Sequence, residues 1–233
     1  MILTVHQPQY LPWAGYLDKI DRADRFVLLD TVQFKKGEWQ NRNRIKTAAG
    51  WQWLTVPVLH DHGQAIRDVR IDPARDTWGR KHREALRTNY AATPYYDWVR
   101  AAFDPIWEGA WERLAPLNRA TVEALTGLLG ITTPIYPASE LEETPEHPDE
   151  RLIGLCRQLG ADTYLAGAGG EAYMELDRWE KAGIRVEVQR FVHPEHAQPF
   201  GDFLPAMSAV DLLCNCGPGA LALLRRANGR PAG

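Results

Sequence analysis

The chain has 233 residues, of which 45% are hydrophobic and 24% are charged, and its formal net charge is −3. A chain of this length and hydrophobic content can bury a sizeable core, which excludes an intrinsically disordered protein. The slight negative charge excludes recruitment of nucleic acid or an anionic membrane through an overall positive field, so any anion site has to be local.

Cysteine usage and the first residues indicate the compartment. The three cysteines Cys156, Cys214 and Cys216 do not provide a disulfide framework, which is typical of a reducing compartment. The stretch MILTVHQPQ lacks the basic segment of a signal peptide, and no apolar run approaches the roughly 18 residues that span a bilayer. We therefore expect a cytoplasmic protein with no membrane partner.

Strands and helices alternate along the chain. β-Branched and aromatic residues predict strands over about residues 2–6, 25–30, 53–58, 66–71, 162–166 and 184–190. Apolar residues at helical spacing predict helices over about 13–23, 76–90, 96–110, 114–129, 149–159, 171–182, 206–214 and 218–227. This alternation predicts an α/β fold with a Rossmann-like layered sheet, in which residues 76–130 form a helical insertion or subdomain.

Two polar residues stand at the ends of the first two predicted strands. His6 ends the first strand and Asp30 ends the second. Ligands of open α/β sheets bind at the carboxyl ends of the strands, so the two side chains should face one cleft if these strands are parallel neighbours. His6 oriented by Asp30 would then act as a general base. The alternative is that His6 hydrogen-bonds a loop carbonyl group and that Asp30 caps a turn.

The stretch HQPQYLPWAG joins the first strand to the first helix through a proline-containing loop and a glycine. This arrangement resembles the start of the nucleotidyltransferases and pantothenate synthetases, in which a His-x-Gly-His sequence contacts the phosphates of ATP. The matching positions here are Trp13, Ala14, Gly15 and Tyr16, without either histidine. The resemblance implies a related fold and leaves ATP open as a cofactor.

The helix TWGRKHREALRTNY carries two polar residues close to its apolar stripe. Lys81 and His82 follow Trp78 at positions i+3 and i+4, which predicts that they share one face with it. Burying an unpaired ammonium group is costly, so Lys81 is expected to reach an anionic ligand or a carboxylate. The alternative is that its apolar stem extends past Trp78 into solvent.

The run KKGEWQNRNRIK is basic and patterned. In an extended backbone, Arg42 and Arg44 share one side, while Asn41 lies on the other. Such a set of guanidinium and amide donors suits a carboxylate or a phosphate. A solvated basic loop and an RNA contact are the alternatives.

A glycine-rich turn follows the predicted strand 162–166 and precedes a predicted helix; its sequence is Gly167-Ala168-Gly169-Gly170. Backbone N–H groups of a glycine-rich turn can approach an anion at a helix N-terminus. The short GAGG sequence favours the alternative of a tight structural turn over such a site. The turn lacks the full spacing of a dinucleotide or P-loop motif, so a small carboxylate or a sugar hydroxyl is the expected ligand.

Near the C-terminus, CNCGPG places Cys216 just ahead of a predicted helix that has Pro218 in its first turn. A helix N-terminus lowers the pKa of a thiol, so Cys216 is a candidate nucleophile that would carry an acyl group as a thioester. A buried structural cysteine is the alternative. The histidines of HDH and HPEH lack the spacing of a metal site, and we predict no metal.

Segments spread along the whole chain closely resemble the WbqC-like family of bacterial proteins, which are encoded in clusters for O-antigen, other polysaccharides and natural products. They are HQPQYLPWAGYLDKI, VLLDTVQFKKGEWQNRNRIK, WLTVPV, the segment Trp78 to His82, LGADTYLAGAGGEAY, AGIRVEVQ and DLLCNCG. The resemblance implies one domain over residues 1–233. Thr31 departs from the family's usual aspartate and Ala166 from its usual serine, and the first departure argues against a paired-carboxylate metal site.

The resemblance marks HQP-x-YLPW-x-G as a segment of site residues or of residues that support them. With the patterns above, the predicted catalytic residues are His6, Asp30, Lys81 and Cys216. The predicted substrate-binding residues are Gln7, Tyr10, Trp13, Gln33, Lys35, Asn41, Arg42, Arg44, His82, Gly167, Gly169, Gly170 and Tyr173.

The family resemblance implies transfer of glycine or another aminoacyl group onto an amino sugar. We therefore expect an N-aminoacyltransferase, or another amide-forming enzyme, that uses a small amine or amino-sugar acceptor and an activated acyl donor. An aminoacyl-tRNA donor would be its one nucleic-acid partner. The alternatives are a non-catalytic ligand-binding or scaffold protein of the same pathway and an ATP-dependent amide ligase.

Overall fold

A five-stranded parallel sheet lies at the centre of the protein, which we describe from a computed structural model covering residues 1–232. Numbered along the chain, the strands are β1 (Ile2–His6), β2 (Arg25–Leu28), β3 (Arg42–Thr47), β4 (Gly50–Thr55), β5 (Val58–Leu59), β6 (Arg70–Ile71), β7 (Ile135–Pro137), β8 (Thr163–Ala166) and β9 (Arg185–Val188). The α-helices are α1 (Ala14–Arg22), α2 (Trp78–Tyr90), α3 (Tyr96–Glu108), α4 (Leu114–Leu129), α5 (Pro148–Gln158), α6 (Leu176–Ala182), α7 (Ala209–Cys216) and α8 (Ala220–Ala227).

The central sheet has the order β7, β2, β1, β8, β9, and its neighbouring strands are parallel. The chain begins at β1, adds β2 and β7 on one side, and then crosses over to add β8 and β9 on the other side. This is the strand order of a Rossmann sheet, and the gap between β1 and β8 is its topological switch point. The predicted α/β fold with Rossmann-like layering is confirmed.

Helices cover both faces of the sheet. Phe26 and Leu28 of β2 belong to a core that includes α1, α2, α3, α4, α7 and α8. Leu3, Val5 and Val27 belong to a second core with α5 and α6. A parallel sheet that is covered on both sides buries both faces of its strands, which explains why β1 is a continuous apolar run in the sequence.

The segment that follows β2 differs from the prediction. Residues 66–71, predicted as a strand, form a 3₁₀ turn (Ile66–Asp68) before the short strand β6. The basic run contains β3, which the sequence did not predict and which pairs antiparallel with β4. Its charged residues hide the strand because they are stabilised by cross-strand partners, such as Trp53 opposite Arg44.

The chain between β6 and β7 forms the helices α2, α3 and α4 that the apolar spacing predicts. Their separation as an insertion or subdomain stays a prediction. Among residues 1–232, no helix combines the length and the apolar character that crossing a membrane requires.

Candidate functional site

The carboxyl ends of β1 and β8 meet at the topological switch point. His6 is the last residue of β1, and the glycine turn 167–170 begins directly after β8. The connections that follow these two strands run toward opposite edges of the sheet, which opens a crevice at this position, where α/β proteins bind their ligands. The structure thus brings together His6, Gln7 and three of the predicted glycines.

A buried lysine lies at the same point and was not among the predicted site residues. Lys19 of α1 is 4% exposed, and its Nζ donates a hydrogen bond of 3.1 Å to the carbonyl oxygen of Val5. A Cβ atom built on Gly167 would lie 3.9 Å from this Nζ. Burial lowers the pKa of Lys19 to about 8, so a substantial fraction of its amine is neutral near that pH.

His6 is neutral at this site. Burial, followed by the charge of Lys19, lowers the pKa of His6 to about 3, although a hydrogen bond to Gln7 acts in the opposite direction. The imidazole lies against the ring of Tyr16 with 4.7 Å between centroids, and its Nδ1 is 3.1 Å from the carbonyl oxygen of Gln7. Because a carbonyl oxygen only accepts, Nδ1 carries the proton and the lone pair is on Nε2. His6 therefore offers an acceptor to a ligand.

Two segments frame His6 and Lys19. The amide of Gln40 donates to Oε1 of Gln7 over 2.7 Å and holds the side chain of this predicted binding residue in place. In the glycine turn, Gly170 N donates to Gly167 O over 2.8 Å. A Cβ atom built on Gly169 would meet no atom within 4 Å, so open space lies beside the turn at this residue. Tyr173 follows the turn and is 88% exposed.

Asp30 lies one strand away and has a different partner. Its Oδ1 accepts from Ser139 N over 2.9 Å, and its Oδ2 accepts from Ser139 Oγ over 2.6 Å. Within residues 1–232 no hydrogen bond joins Asp30 to His6, so the oriented pair expected from the sequence does not form in this structure. Asp30 instead lines a cavity of about 330 Å³ at the ends of β2 and β7.

Tyr10 and His82, both predicted to bind substrate, belong to the core. Trp107 Nε1 donates to Tyr10 Oη over 2.9 Å, and Tyr10 Oη lies 2.8 Å from His82 Nδ1. Burial lowers the pKa of His82 to about 4, against a hydrogen bond to the backbone of Thr55 that raises it. This chain of hydrogen bonds connects the first loop to α2 and α3. Asn41 is buried as well, and donates to Val56 O over 2.8 Å.

Trp13 covers the first turn of α1. A Cβ atom built on Gly15 would lie 2.2 Å from the indole ring, so only glycine fits beneath it. The ring also contacts Phe191 and His193, with centroids 5.0 and 5.3 Å away. The pattern YLPW-x-G is therefore a packing motif, and its indole occupies the space beside the helix terminus where a phosphate would approach.

Arg42 and Arg44 form a stacked surface on the β3–β4 hairpin. The guanidinium of Arg42 lies 4.1 Å from the ring centre of Trp53. That of Arg44 lies 5.1 Å from the ring centres of both Trp39 and Trp51. Cation–π contacts of this kind use the faces of the guanidinium groups. Arg42 and Arg44 alternate along an extended strand, as predicted. These arginines lie on the β3–β4 hairpin, whereas the glycine turn lies at the end of β8.

The remaining predicted residues have exposed side chains, although the backbone of Lys35 is linked to Gln7 through Gln40, because Lys35 N donates to Gln40 Oε1 over 2.8 Å. Gln33, Lys35 and Lys81 are exposed. The predicted placement of Lys81 on the apolar face of α2 is wrong. The buried residues of this helix include Trp78, His82, Leu86 and Tyr90, whereas Lys81 is exposed. Its exposure agrees with the alternative of a stem that extends into solvent.

The expected activation of Cys216 is also wrong. Cys216 is the last residue of α7, and the segment that follows it begins with a 3₁₀ turn. Burial, followed by the carboxylate of Asp211, raises the pKa of its thiol. The thiolate needed for nucleophilic attack is therefore disfavoured.

One group of side chains has the composition of a metal site. His147, Asp149 and Glu175 bring ligand atoms within 4.8 Å of one another. Asp149 accepts from Trp179 Nε1 over 2.9 Å and from Glu175 N over 3.2 Å, and Glu175 forms an ion pair with Arg178. These contacts already satisfy the carboxylates, so the group is explained by the packing of α5 on α6.

Comparison with known proteins identifies the family. The sequence model of the WbqC-like protein family matches residues 7–222, which include Lys19, the glycine turn 167–170 and the cavity that Asp30 lines, and which begin directly after His6. The chain belongs to the WbqC-like family.

A relative in Mycobacterium tuberculosis (strain ATCC 25618 / H37Rv) bears the name Uncharacterized protein Rv1507c. It is 35% identical over 230 residues, which cover 96% of this chain and 97% of the relative. No solved structure is significantly similar to this chain. Membership in the WbqC-like family confirms the predicted resemblance.

Proposed function

We propose that this WbqC-like protein transfers an acyl or aminoacyl group, with glycine as the leading candidate, to the amino group of a small molecule such as an amino sugar. The observation that carries the proposal is the buried amine of Lys19, whose pKa is lowered to about 8, beside the neutral imidazole of His6. The attack of an amine on a carbonyl group requires a base that removes a proton from the ammonium group, because an ammonium group has no lone pair.

The proposed step balances without a cofactor. Neutral Lys19 takes a proton from the ammonium group of the acceptor, and the freed nitrogen attacks the carbonyl carbon of an activated donor. A C–N bond forms, the bond from the carbonyl carbon to the leaving group breaks, and the second amine proton passes to the leaving group through His6 Nε2 or water. In this scheme Lys19 replaces His6 as the principal base, because the pKa of His6 is too low for that role.

The surroundings suit a small polar acceptor. Gln7 and the glycine turn 167–170 present amide and backbone groups that can hydrogen-bond hydroxyl groups of a sugar. The donor is an activated acyl compound, either a thioester or an aminoacyl-tRNA. An ATP-dependent ligase finds less support, since Trp13 fills the space beside the N-terminus of α1 that phosphates would use.

Turnover with defined probes tests the proposal. The protein is incubated with glucosamine and either a glycyl thioester of N-acetylcysteamine or glycyl-tRNA, and N-glycylglucosamine is measured by mass spectrometry. We expect product formation that increases with pH through about 8. Lys19→Met should lower the rate by about 100-fold or more, the usual contribution of a general base.

The exposed Lys181 provides a matched control. Lys181→Met should leave the rate and the pH profile unchanged. Full activity of Lys19→Met would refute the role of Lys19. Binding of glucosamine without turnover of any donor would instead support the ligand-binding or scaffold alternative, and release of AMP or ADP upon addition of ATP and glycine would support the ligase.

A further inference from the structure

A second feature of the carboxyl edge is the cavity of about 330 Å³ that Asp30 lines. It lies at the ends of β2 and β7, against the first turns of α4. One part of its wall is apolar and consists of Pro8, Leu28, Ala115 and Pro137. A wall of this kind accommodates the body of a small organic molecule.

Three arginines surround the same cavity. Arg67, Arg113 and Arg119 line it together with the carboxylates of Asp30 and Glu140. The lining charges therefore sum to a positive excess, in a protein whose net charge is negative. Guanidinium groups bind phosphates and carboxylates in a bidentate manner, so this cluster is suited to an anion.

The backbone holds these residues in position. Arg67 N donates to Asp30 O over 2.9 Å, Ser139 N donates to Asp30 Oδ1 over 2.9 Å, and Leu114 N donates to Val69 O over 3.0 Å. Three segments that are distant in the sequence are thereby joined at the end of β2. The site is pre-organised, which lowers the entropic cost of binding.

Two of the arginines are only weakly neutralised. Arg67 and Arg113 share one carboxylate, that of Asp68, at 3.6 and 3.4 Å, and both side chains are about half exposed. Arg119 is 36% exposed and has closer partners, Glu123 at 2.8 Å and Glu140 at 3.2 Å. Exposed ion pairs at such distances contribute little free energy, so an entering anion displaces them at low cost.

The start of α4 is also unusual. Arg113 is its N-cap residue, no side chain caps the helix, and its first turn has no acidic residue. A cation at the positive end of a helix dipole is unfavourable, whereas an anion bound between Arg113 and the helix is stabilised by both. An unfavourable placement of this kind, a cation at the positive end of a helix, is typical of ligand-binding sites.

We propose that the cavity binds a phosphorylated small molecule that carries hydroxyl groups, such as a sugar phosphate or a ribonucleotide. The phosphoryl group, which has a charge of about −1.5 to −2 at neutral pH, lies among Arg67, Arg113 and Arg119. Each oxygen of Asp30 accepts one hydrogen bond from Ser139 and has capacity for another, which a ligand hydroxyl donates. Binding here does not depend on the transfer proposed at Lys19.

Isothermal titration calorimetry tests the inference with five probes: glucosamine 6-phosphate, AMP, inorganic phosphate, glucosamine and glucuronate. We expect at least one of the organic phosphates to bind, inorganic phosphate to compete with it, and glucosamine to bind more weakly by about tenfold or more. Arg113→Gln should weaken the organic phosphate by about tenfold or more, and Arg113→Lys by less, since lysine keeps the charge but not the bidentate geometry.

Arg100→Gln is the matched control, because Arg100 of α3 is similarly exposed and does not line the cavity. It should bind AMP and inorganic phosphate like the unaltered protein, and so should Lys19→Met. Should Arg113→Gln fail to fold, Arg67→Gln removes a guanidinium that another segment provides. A preference for the sugar phosphate or for AMP identifies the source of the phosphate.

Three results would overturn the inference. The first is no binding of either organic phosphate, and the second is equal binding by Arg113→Gln and the unaltered protein. The third is glucuronate binding as tightly as glucosamine 6-phosphate, which would make the site a carboxylate site. If the unaltered protein binds an organic phosphate but shows no transfer activity, only the function proposed at Lys19 is overturned.

Discussion

Replacing Lys19 with methionine should stabilise the protein at neutral pH while removing its activity. Lys19 is 4% exposed, and burial lowers its pKa from 10.5 to about 8. Between these two values the unfolded chain binds more protons than the folded chain, so the contribution of Lys19 to stability increases with pH in that window. The cost of holding the ammonium group is fully present below about pH 8.

The magnitude follows from the pKa difference. At 1.36 kcal/mol per pKa unit, the ammonium group costs about 3 kcal/mol at pH 7 and about 1 kcal/mol at pH 10, relative to a side chain that is always neutral. Methionine matches the lysine stem in length and has no charge. The difference in unfolding free energy between Lys19→Met and the unaltered protein should therefore decrease by about 2 kcal/mol from pH 7 to pH 10.

Urea denaturation at a series of pH values measures this difference. Comparing the two proteins at each pH removes the titration of all other groups, and changes in packing shift the difference equally at every pH. Lys181→Met should show a difference that does not vary with pH, because Lys181 is exposed. A constant difference for Lys19→Met would refute the lowered pKa and with it the proposed base.

Three further predictions concern the loop and the helices around the site. Gly15→Ala should destabilise the protein by about 2 kcal/mol, because a Cβ atom there would lie 2.2 Å from the ring of Trp13; an unchanged urea midpoint would contradict this packing. His82→Leu should cost about 1–3 kcal/mol, because the buried Tyr10 hydroxyl loses its acceptor. A double-mutant cycle with Tyr10→Phe should give a clear coupling energy, and strict additivity would show that the hydrogen bond is absent. The thiol of Cys216 should react with iodoacetamide at pH 7 more slowly than glutathione does, because burial and a nearby carboxylate raise its pKa. Faster alkylation would restore Cys216 as a candidate nucleophile.

The strands of the central sheet and those of the β3–β4 hairpin differ in how well the sequence predicts them. β1, β2 and β8 could be predicted because both of their faces are buried, which requires apolar residues in succession. β3 could not, because its charged side chains are stabilised by tryptophans on the partner strand β4. A pairing of this kind is visible only after the hairpin has formed.

The candidate site was predictable where it follows from the ends of strands. His6 and the glycine turn lie at the ends of β1 and β8, and the rule that ligands bind at such ends brought attention to both. Lys19 and Lys81 show where this reasoning fails. Both lysines lie on helices, yet one is buried and the other is exposed. Neighbouring segments bury a continuous run of α1 that includes Lys19, whereas α2 is buried along one face that excludes Lys81.

The sequence by itself determined the alternation of helices and strands, the polar residues at the strand ends and the membership in the WbqC-like family. Only the tertiary structure decided that Asp30 pairs with Ser139, 109 residues away, and that Arg67 and Arg113 meet beside it. The physical reason is the separation in sequence of the residues on which each property depends. Helix and strand preferences depend on neighbours within a few residues, whereas burial, hydrogen-bond partners and pKa values depend on contacts between segments that only the folded chain brings together.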